Sequence, residues 1–162
     1  MNNLNHLENL PQELKYLLSA FLISLSIGIL MGLSYVYMTT DMKPAGITER
    51  YNGSDVKINE IPENYPKPIE NMILTTHNHL IMFSIISILL GYIFYHNSII
   101  NGWVKTLIIL EPFIGSIIMF GALWLMRYVD PSFNYLVALS SIVTYAMWFL
   151  MIMISLFNLN KK

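Results

Sequence analysis

Residues 16–38 read YLLSAFLISLSIGILMGLSYVYM and contain no Asp, Glu, Lys, Arg or His. A helix rises about 1.5 Å per residue, so a run of this length crosses the roughly 30 Å hydrocarbon core of a bilayer. A helix also satisfies its backbone N–H and C=O groups internally, because lipid offers them no partners. The stretch therefore predicts a transmembrane helix.

Three further apolar runs have a similar length, at 72–95, 104–126 and 133–157. Of the 162 residues, 55% are hydrophobic and only 12% are charged, whereas a soluble domain carries about 25% charged residues. We therefore predict an all-α integral membrane four-helix bundle. Residues 1–162 form a single membrane domain in this prediction, and residues 41–71 form its extramembrane loop.

The composition also limits the possible cofactors. Cysteine is absent, which excludes disulfides, thiolate-ligated iron–sulfur clusters and c-type haem attachment. Non-covalent haem, copper and quinone all remain compatible with the sequence. No basic patch of the kind that binds nucleic acid appears, so the lipid bilayer is the predicted surrounding. Whether the protein is an enzyme stays open.

The segment ILTTHNHLIMF, residues 73–83, holds two of the four histidines. A helix turns about 100° per residue, so His77 and His79 point roughly 160° apart and cannot ligate one metal ion together. His77 aligns with Ser84 and Gly91, and rows of small and polar residues mark the faces where membrane helices pack. We therefore expect His77 to face the bundle and His79 to face lipid or a partner subunit.

Methionine, arginine and aromatic residues gather at the same end of the predicted bundle as these histidines. Haem iron accepts one His, alone or with a second His or a Met, while a basic side chain such as Arg127 or Lys67 meets a propionate. The sequence thus predicts b-type haem or another redox metal, with His77 and His79 as the metal-ligating candidates. The cofactor-binding candidates are His77, His79, Arg127, Met38 and Met82.

Three other interpretations of this cluster stay open. Copper is the alternative metal, because it accepts imidazole and thioether ligands and His79 shares a helix face with Met82. A quinone or proton-relay site is another possibility. In the last interpretation, both histidines are structural residues that form hydrogen bonds near the membrane interface.

The segment LIILEPFIG, residues 107–115, contains the other ionisable side chain within a span, Glu111. The adjacent Pro112 has no N–H, which leaves a helix carbonyl without its usual donor about one turn earlier. Glu111 is either a protonated structural residue or a proton-active residue that serves the histidine cluster.

Helix packing and the long loop give further expectations. A GxxxG pair, Gly28 and Gly32, would let the first span pack closely on a neighbour. The proline-rich and glycine-rich loop 41–71 is expected to be irregular and to cap the helix ends or dock a partner. Polar and aromatic residues recur every seven positions in the fourth span and predict an interhelical seam: Asn134, Ser141, Trp148 and Ser155.

Three stretches carry a resemblance to a known family: SIGILMGLSYVYMTTDMKPAGITERYNGS, PKPIENMILTTHNHL and GALWLMRYVDPSFNYL. In these stretches the chain resembles a family of small four-helix bacterial inner-membrane proteins with a THxHL motif on the second helix. The resemblance covers nearly all of the chain and implies His77, His79 and Arg127 as functional positions. It also implies an occurrence in respiratory bacteria beside electron-transfer proteins. In the corner LWLMRYVDPSF, Trp124 stands apart from Arg127, so the resemblance implies no aromatic packing there.

These observations predict a membrane protein that binds haem b near the outer leaflet and acts in respiratory electron transfer. It would do so as a subunit or small partner of a larger complex, as a homo-oligomer, or with a periplasmic electron-transfer protein. The basic residues divide almost evenly between the two sides; we expect both termini in the cytoplasm of a bacterial inner membrane. The alternative is a scaffold or accessory subunit without a cofactor, which docks a partner through residues 41–71.

Overall fold

The computed structural model describes residues 6–54 and 61–161. Short 3-10 turns, Leu7–Asn9 and Pro131–Phe133, precede the first and last long helices. Part of the predicted loop, residues 55–60, lies outside the described residues. The helices are α1 (Gln12–Thr40), α2 (Pro44–Asn52), α3 (Ile69–Tyr95), α4 (Gly102–Tyr128) and α5 (Asn134–Leu159).

Four of these helices are long and apolar enough to cross a membrane, namely α1, α3, α4 and the segment Pro131–Leu159 that contains α5. With 26 to 29 residues each, they exceed the roughly 20 residues that a transmembrane helix needs. They run alternately up and down. The predicted fold class is confirmed: the chain is an all-α integral membrane protein with four spans.

The spans pack unequally. Helices α3, α4 and α5 form a close three-helix core, whereas α1 packs mainly against α2 and α5 and has few contacts with α3 or α4. A Cβ atom added at Gly28 or Gly32 would meet no described atom within 4 Å. The GxxxG pair therefore makes no close helix contact within the described part of this chain, and α1 exposes much of its surface to lipid.

The predicted seam on α5 is confirmed. Trp148 is 1% exposed, and Asn134 and Ser155 are also buried. The Trp148 indole donates a hydrogen bond to Ser87 Oγ on α3, with 3.1 Å between the nitrogen and oxygen atoms. Because lipid is as apolar as the side chains, such interhelical hydrogen bonds and close packing hold membrane helices together.

The loop expected to be irregular contains a helix, α2, that caps one end of the bundle. Pro44 occupies its first turn and Gly53, with φ +92°, follows its last residue, the usual asymmetry of helix ends. Asn134 at the start of α5 donates to the Thr48 hydroxyl over 2.9 Å. The Asn52 amide donates to the Met126 carbonyl over 3.2 Å. We call this end of the bundle the cap end.

A glycine lets α2 approach this closely. A Cβ atom at Gly46 would overlap the backbone carbonyl of Thr40, the last residue of α1. Between the two helices, Asp41 and Met42 both have positive φ, 52° and 53°, a conformation that is unfavourable for residues with a Cβ atom. The sharp turn and the missing side chain together fold α2 back over the helix ends.

The opposite end of the bundle is closed by a polar cluster. Asn97, fully buried, accepts hydrogen bonds from the backbone N–H groups of Ile99 and Ile100. Asn158 donates to Glu8 Oε2 over 3.3 Å, and Lys161 forms a salt bridge to the same oxygen at 3.1 Å. The amino-terminal segment is thereby fastened to the end of α5.

This fastening predicts a pH dependence. The hydrogen bond from Lys161 and, to a lesser degree, that from Ser98 lower the pKa of Glu8 below its ordinary value of 4.5. A lowered carboxyl pKa contributes stability above the unfolded-state value, and this stability is lost as pH falls through the folded-state value. We expect Glu8→Gln to lower the thermal unfolding midpoint at neutral pH but to match the wild type in acid. Lys161→Gln should weaken the same pH dependence, whereas a Glu8→Gln difference that is constant with pH would contradict the assignment.

Candidate functional site

A cavity of about 350 Å³ lies under α2 at the cap end. All five helices contribute to its lining, and Lys67 in the segment that precedes α3 also lines it. Its deeper wall is apolar and aromatic, with Phe83, Phe120, Leu123 and Val137. Because α1 and α3 have few contacts with each other, helix packing leaves an open side between them, and residues of both helices line the cavity. We refer to this space as the cap cavity.

His79 is the histidine that lines the cap cavity. Its Nδ1 atom lies 2.8 Å from the carbonyl oxygen of Thr75, one turn earlier on α3. A carbonyl only accepts hydrogen bonds, so Nδ1 carries the hydrogen and Nε2 of the neutral ring keeps a free lone pair. The same arrangement orients the histidines that ligate metals in proteins. Nε2 of His79 is thus a ready donor atom.

Two aromatic rings hold His79 in this orientation. The ring centroids of Phe120 and Phe83 lie 5.6 Å and 5.9 Å from the imidazole centroid. Phe83 in turn packs edge-on against Trp148, with 4.7 Å between the ring centroids. The histidine is therefore mounted on the aromatic core of the three-helix bundle and not on a mobile loop.

Two basic residues line the cavity where α2 covers it, Arg50 and Lys67. Arg50 donates from Nη2 to the Tyr35 hydroxyl over 3.0 Å. The backbone N–H of Lys67 donates to the Tyr51 carbonyl over 2.9 Å, which ties the end of the loop to α2. Burial raises the pKa of the Tyr51 phenol, so Tyr51 contributes a neutral hydroxyl. The cap end of the cavity is thus suited to an anionic group.

Methionine and hydroxyl groups also line the cavity. Met119 on α4 is buried, and its sulfur accepts a hydrogen bond from the Ser141 hydroxyl over 2.9 Å. Ser141 and Tyr145 face the cavity from α5. The cavity therefore combines one imidazole, one thioether, two cations and several neutral hydroxyls with an aromatic wall.

The expectation that His77 faces the bundle is wrong. His77 and Ser84 are exposed, and of that row only Gly91 is buried. His79 is also exposed, as expected for a residue that faces away from the packed core, but it lines the cap cavity. The buried face of α3 runs through the positions that follow His79: Phe83, Ser87, Leu90 and Phe94. The heptad row that starts at His77 is therefore not the packing face, because the contact with neighbouring helices is made one face over, by aromatic, aliphatic and small residues together.

The other predicted cofactor residues do not line the cap cavity. Met38 is 81% exposed and Met82 is 53% exposed. The Arg127 guanidinium lies over the Tyr128 ring, 5.1 Å from its centroid, and Arg127 does not line the cavity. Of the residues that the sequence analysis named for the histidine cluster, His79 and Lys67 both line the cap cavity. The sequence analysis did not identify three other lining residues, Arg50, Tyr51 and Met119.

The side chains available as ligands limit the type of metal centre that the cap cavity could hold. Within residues 6–54 and 61–161, no three His, Cys, Asp or Glu side chains come together to hold a metal ion. A copper ion in the cap cavity would have to rely on His79 with methionine sulfur. A ligand that needs one imidazole, an aromatic wall and basic side chains at one edge matches the lining better.

Comparison with known proteins places the chain in a family. A family model described as a transmembrane helical domain matches residues 41–162, well over half of the chain. The match includes α2, the three-helix core and most of the cap cavity lining. No curated protein and no solved structure matches the chain. The chain belongs to this family of transmembrane helical domains.

Proposed function

We propose that the protein binds haem b in the cap cavity through Nε2 of His79 and transfers electrons within the membrane. The hydrogen bond from Nδ1 of His79 to Thr75 carries this proposal, because it leaves Nε2 as a free donor atom beside an aromatic-walled cavity. Neutral imidazole is the commonest protein ligand of haem iron. The proposal keeps the haem of the sequence-based prediction but moves the ligand from His77 to His79.

The other lining residues fit an amphipathic, planar, anionic cofactor. Arg50 and Lys67 would meet the propionates, since basic side chains form strong charge-assisted hydrogen bonds with carboxylates. Met119, in place of Met38, would offer its thioether sulfur to the group, because Met119 lines the cavity and haem iron accepts methionine sulfur. The cavity volume, about 350 Å³, lies at the lower end of the range of roughly 300–1,000 Å³ for ligand pockets. The open side between α1 and α3 leaves room for a larger ring edge.

The chain's own residues would tune the chemistry of the cofactor. Haem supplies one-electron redox chemistry when bound. Phe83 and Phe120 pack against the imidazole and orient it. The hydrogen bond to Thr75 increases the basicity of Nε2, while Met119, through its hydrogen bond with Ser141, keeps a polarisable sulfur in the lining. Axial ligands and local polarity of this kind set redox potentials.

The membrane setting suggests the partners. A haem at the cap end would lie close to one membrane surface, within reach of a soluble redox protein that docks on α2. In this proposal the cap end faces the periplasm of a bacterial inner membrane, and both termini are cytoplasmic. The protein would act as a subunit or small partner of a respiratory complex, where a second copy or another chain covers the exposed face of α1.

A haemin titration of cofactor-free protein in detergent tests the binding site. We expect saturable binding at one site in the wild type. Arg50→Gln and Lys67→Gln should each weaken the affinity roughly tenfold, as expected for loss of a charge-assisted contact worth about 1.5 kcal/mol. Arg127→Gln is the matched control, because Arg127 is a cation at the same end that does not line the cavity, and it should leave the affinity unchanged.

Two outcomes of the haemin titration would contradict the proposed site. If haemin only partitions into the protein micelles as it does into empty micelles, the haem proposal is wrong and a cofactor-free scaffold gains support. If Arg127→Gln weakens binding while the cavity variants do not, the site lies outside the cap cavity.

A further inference from the structure

Glu111 lies deep within α4, far from the ends of the helix. It is nine residues from Gly102, so it lies about 14 Å along the helix axis from the end opposite the cap. Residues 16–38, 80–95, 106–126 and 133–157 contain no other Asp, Glu, Lys, Arg or His. No basic side chain of the neighbouring spans is therefore available at this depth to neutralise a carboxylate.

The Glu111 carboxyl sits in a niche between α4 and α5. Thr144 on α5 is fully buried, and its hydroxyl donates to Glu111 Oε1 over 3.5 Å. Oε2 is enclosed and forms no hydrogen bond with any described residue. A Cβ atom at Gly115 would overlap both the Thr144 hydroxyl and the Glu111 carboxyl. The missing side chain at Gly115 thus makes the space that the carboxyl and the hydroxyl share.

Pro112 adds to the polarity of this niche. It is buried within α4 and has no N–H, so the carbonyl of Ile108 lacks its usual helical donor. In a membrane span, neighbouring polar side chains commonly satisfy such a carbonyl. A carboxylic acid can donate a hydrogen bond, whereas a carboxylate can only accept them. A protonated Glu111 side chain is therefore better matched to an unpaired carbonyl beside Pro112 than a carboxylate is.

An ionised carboxylate is unfavourable in these surroundings. A charged side chain at the centre of a membrane helix is costly unless it is paired or hydrated. One threonine hydroxyl does not replace the water that an ionised carboxylate loses. The span segments named above offer no compensating charge, and Tyr145, the residue that follows Thr144 on α5, carries a neutral phenol.

We infer that Glu111, Thr144 and the niche at Gly115 form a proton-binding site in the membrane interior that exchanges its proton towards the cap cavity. Ser141 and Tyr145, which neighbour Thr144 along α5, line that cavity and provide the hydroxyls in this direction. Release of the proton leaves the Glu111 carboxylate, and uptake restores the acid, with no electron moved in either step. If the proposed haem is reduced, the proton on Glu111 can balance the charge of the arriving electron, and this role rests on the proposed haem function. The presence of the proton on Glu111 does not depend on that function.

Infrared spectroscopy of the folded protein at neutral pH tests this inference directly. We expect a carbonyl band of a protonated carboxylic acid in the wild type, assigned by isotope-labelled glutamate, and its loss in Glu111→Gln. Glu70→Gln is the matched control, since Glu70 is an exposed acid in the first turn of α3, and it should keep the band. Absence of the band in the wild type would overturn the inference, as would its persistence in Glu111→Gln.

Thr144 variants test the exchange route while the native glutamate stays in place. Thr144→Val should shift the band and slow its response to transfer into D2O, and Thr144→Ser should restore both. An unshifted band with unchanged exchange in Thr144→Val would overturn the role of Thr144. Because these spectra need no cofactor, a colourless protein would contradict the haem proposal while leaving the result for Glu111 unaffected.

Discussion

Replacing His79 with alanine will abolish the haem absorbance of the purified protein, whereas His77→Ala will leave it intact. Both side chains are exposed, but His79 lines the cap cavity with its Nε2 atom free, whereas His77 points from another face of α3 and does not line the cavity. The two variants make the same chemical change two residues apart. Their comparison therefore separates loss of a ligand from a general effect of removing a histidine from α3.

A rescue experiment distinguishes a ligand from a residue that only shapes the cavity. Adding imidazole to His79→Gly should restore the absorption bands, because the free ligand can occupy the space left by the side chain. Imidazole added to His77→Gly should change nothing. If His77→Ala loses the haem and His79→Ala keeps it, the site lies on the other face of α3 and the cap cavity is not the haem site.

Trp148→Ala will produce the largest loss of stability among the core variants. The side chain is 1% exposed, packs edge-on against Phe83 and Tyr145 and donates a hydrogen bond to Ser87. Deletion of a buried aromatic side chain costs about 3–5 kcal/mol of unfolding free energy. Measurement in detergent or lipid by reversible unfolding gives this value directly.

Two variants sharpen the result for Trp148. Trp148→Phe should lose less unfolding free energy than Trp148→Ala, because phenylalanine keeps part of the ring packing. It still loses the hydrogen bond to Ser87, and we expect a cost of about 1–3 kcal/mol for the unpaired partner and the smaller ring. Trp103→Ala is the control, since Trp103 is 75% exposed, and it should have little effect. Equal losses in Trp148→Ala and Trp103→Ala would contradict the core described for α3, α4 and α5.

The four spans could be predicted because each apolar run is longer than the hydrocarbon core and nearly free of charge. The α5 seam was also predictable, since Asn134, Trp148 and Ser155 repeat at heptad spacing and all three are buried. The same argument failed on α3, where His77 and Ser84 are exposed. Small or polar residues indicate a packing face only where they meet partners: on α3 the buried Ser87 meets Trp148, whereas His77 and Ser84 lie exposed on another face.

The cap cavity was harder to predict because contacts between distant segments form it. Asn134 meets Thr48 across 86 positions of the chain, and no local pattern encodes that contact. The helix α2 itself had a local signal, since Pro44 and Gly53 bracket the segment PAGITERYN as a first-turn proline and a terminal glycine. This signal predicts a helix that carries Arg50 at the same end of the bundle as His79.

The central claim is that this chain holds a haem through His79, and an absorption spectrum of the wild-type protein tests it most directly. The protein should be purified in detergent from haem-replete cells, measured before and after reduction with dithionite, and analysed for iron in the same sample. We expect a Soret band that shifts on reduction and iron stoichiometric with the chain. A folded, colourless protein without iron would contradict the claim.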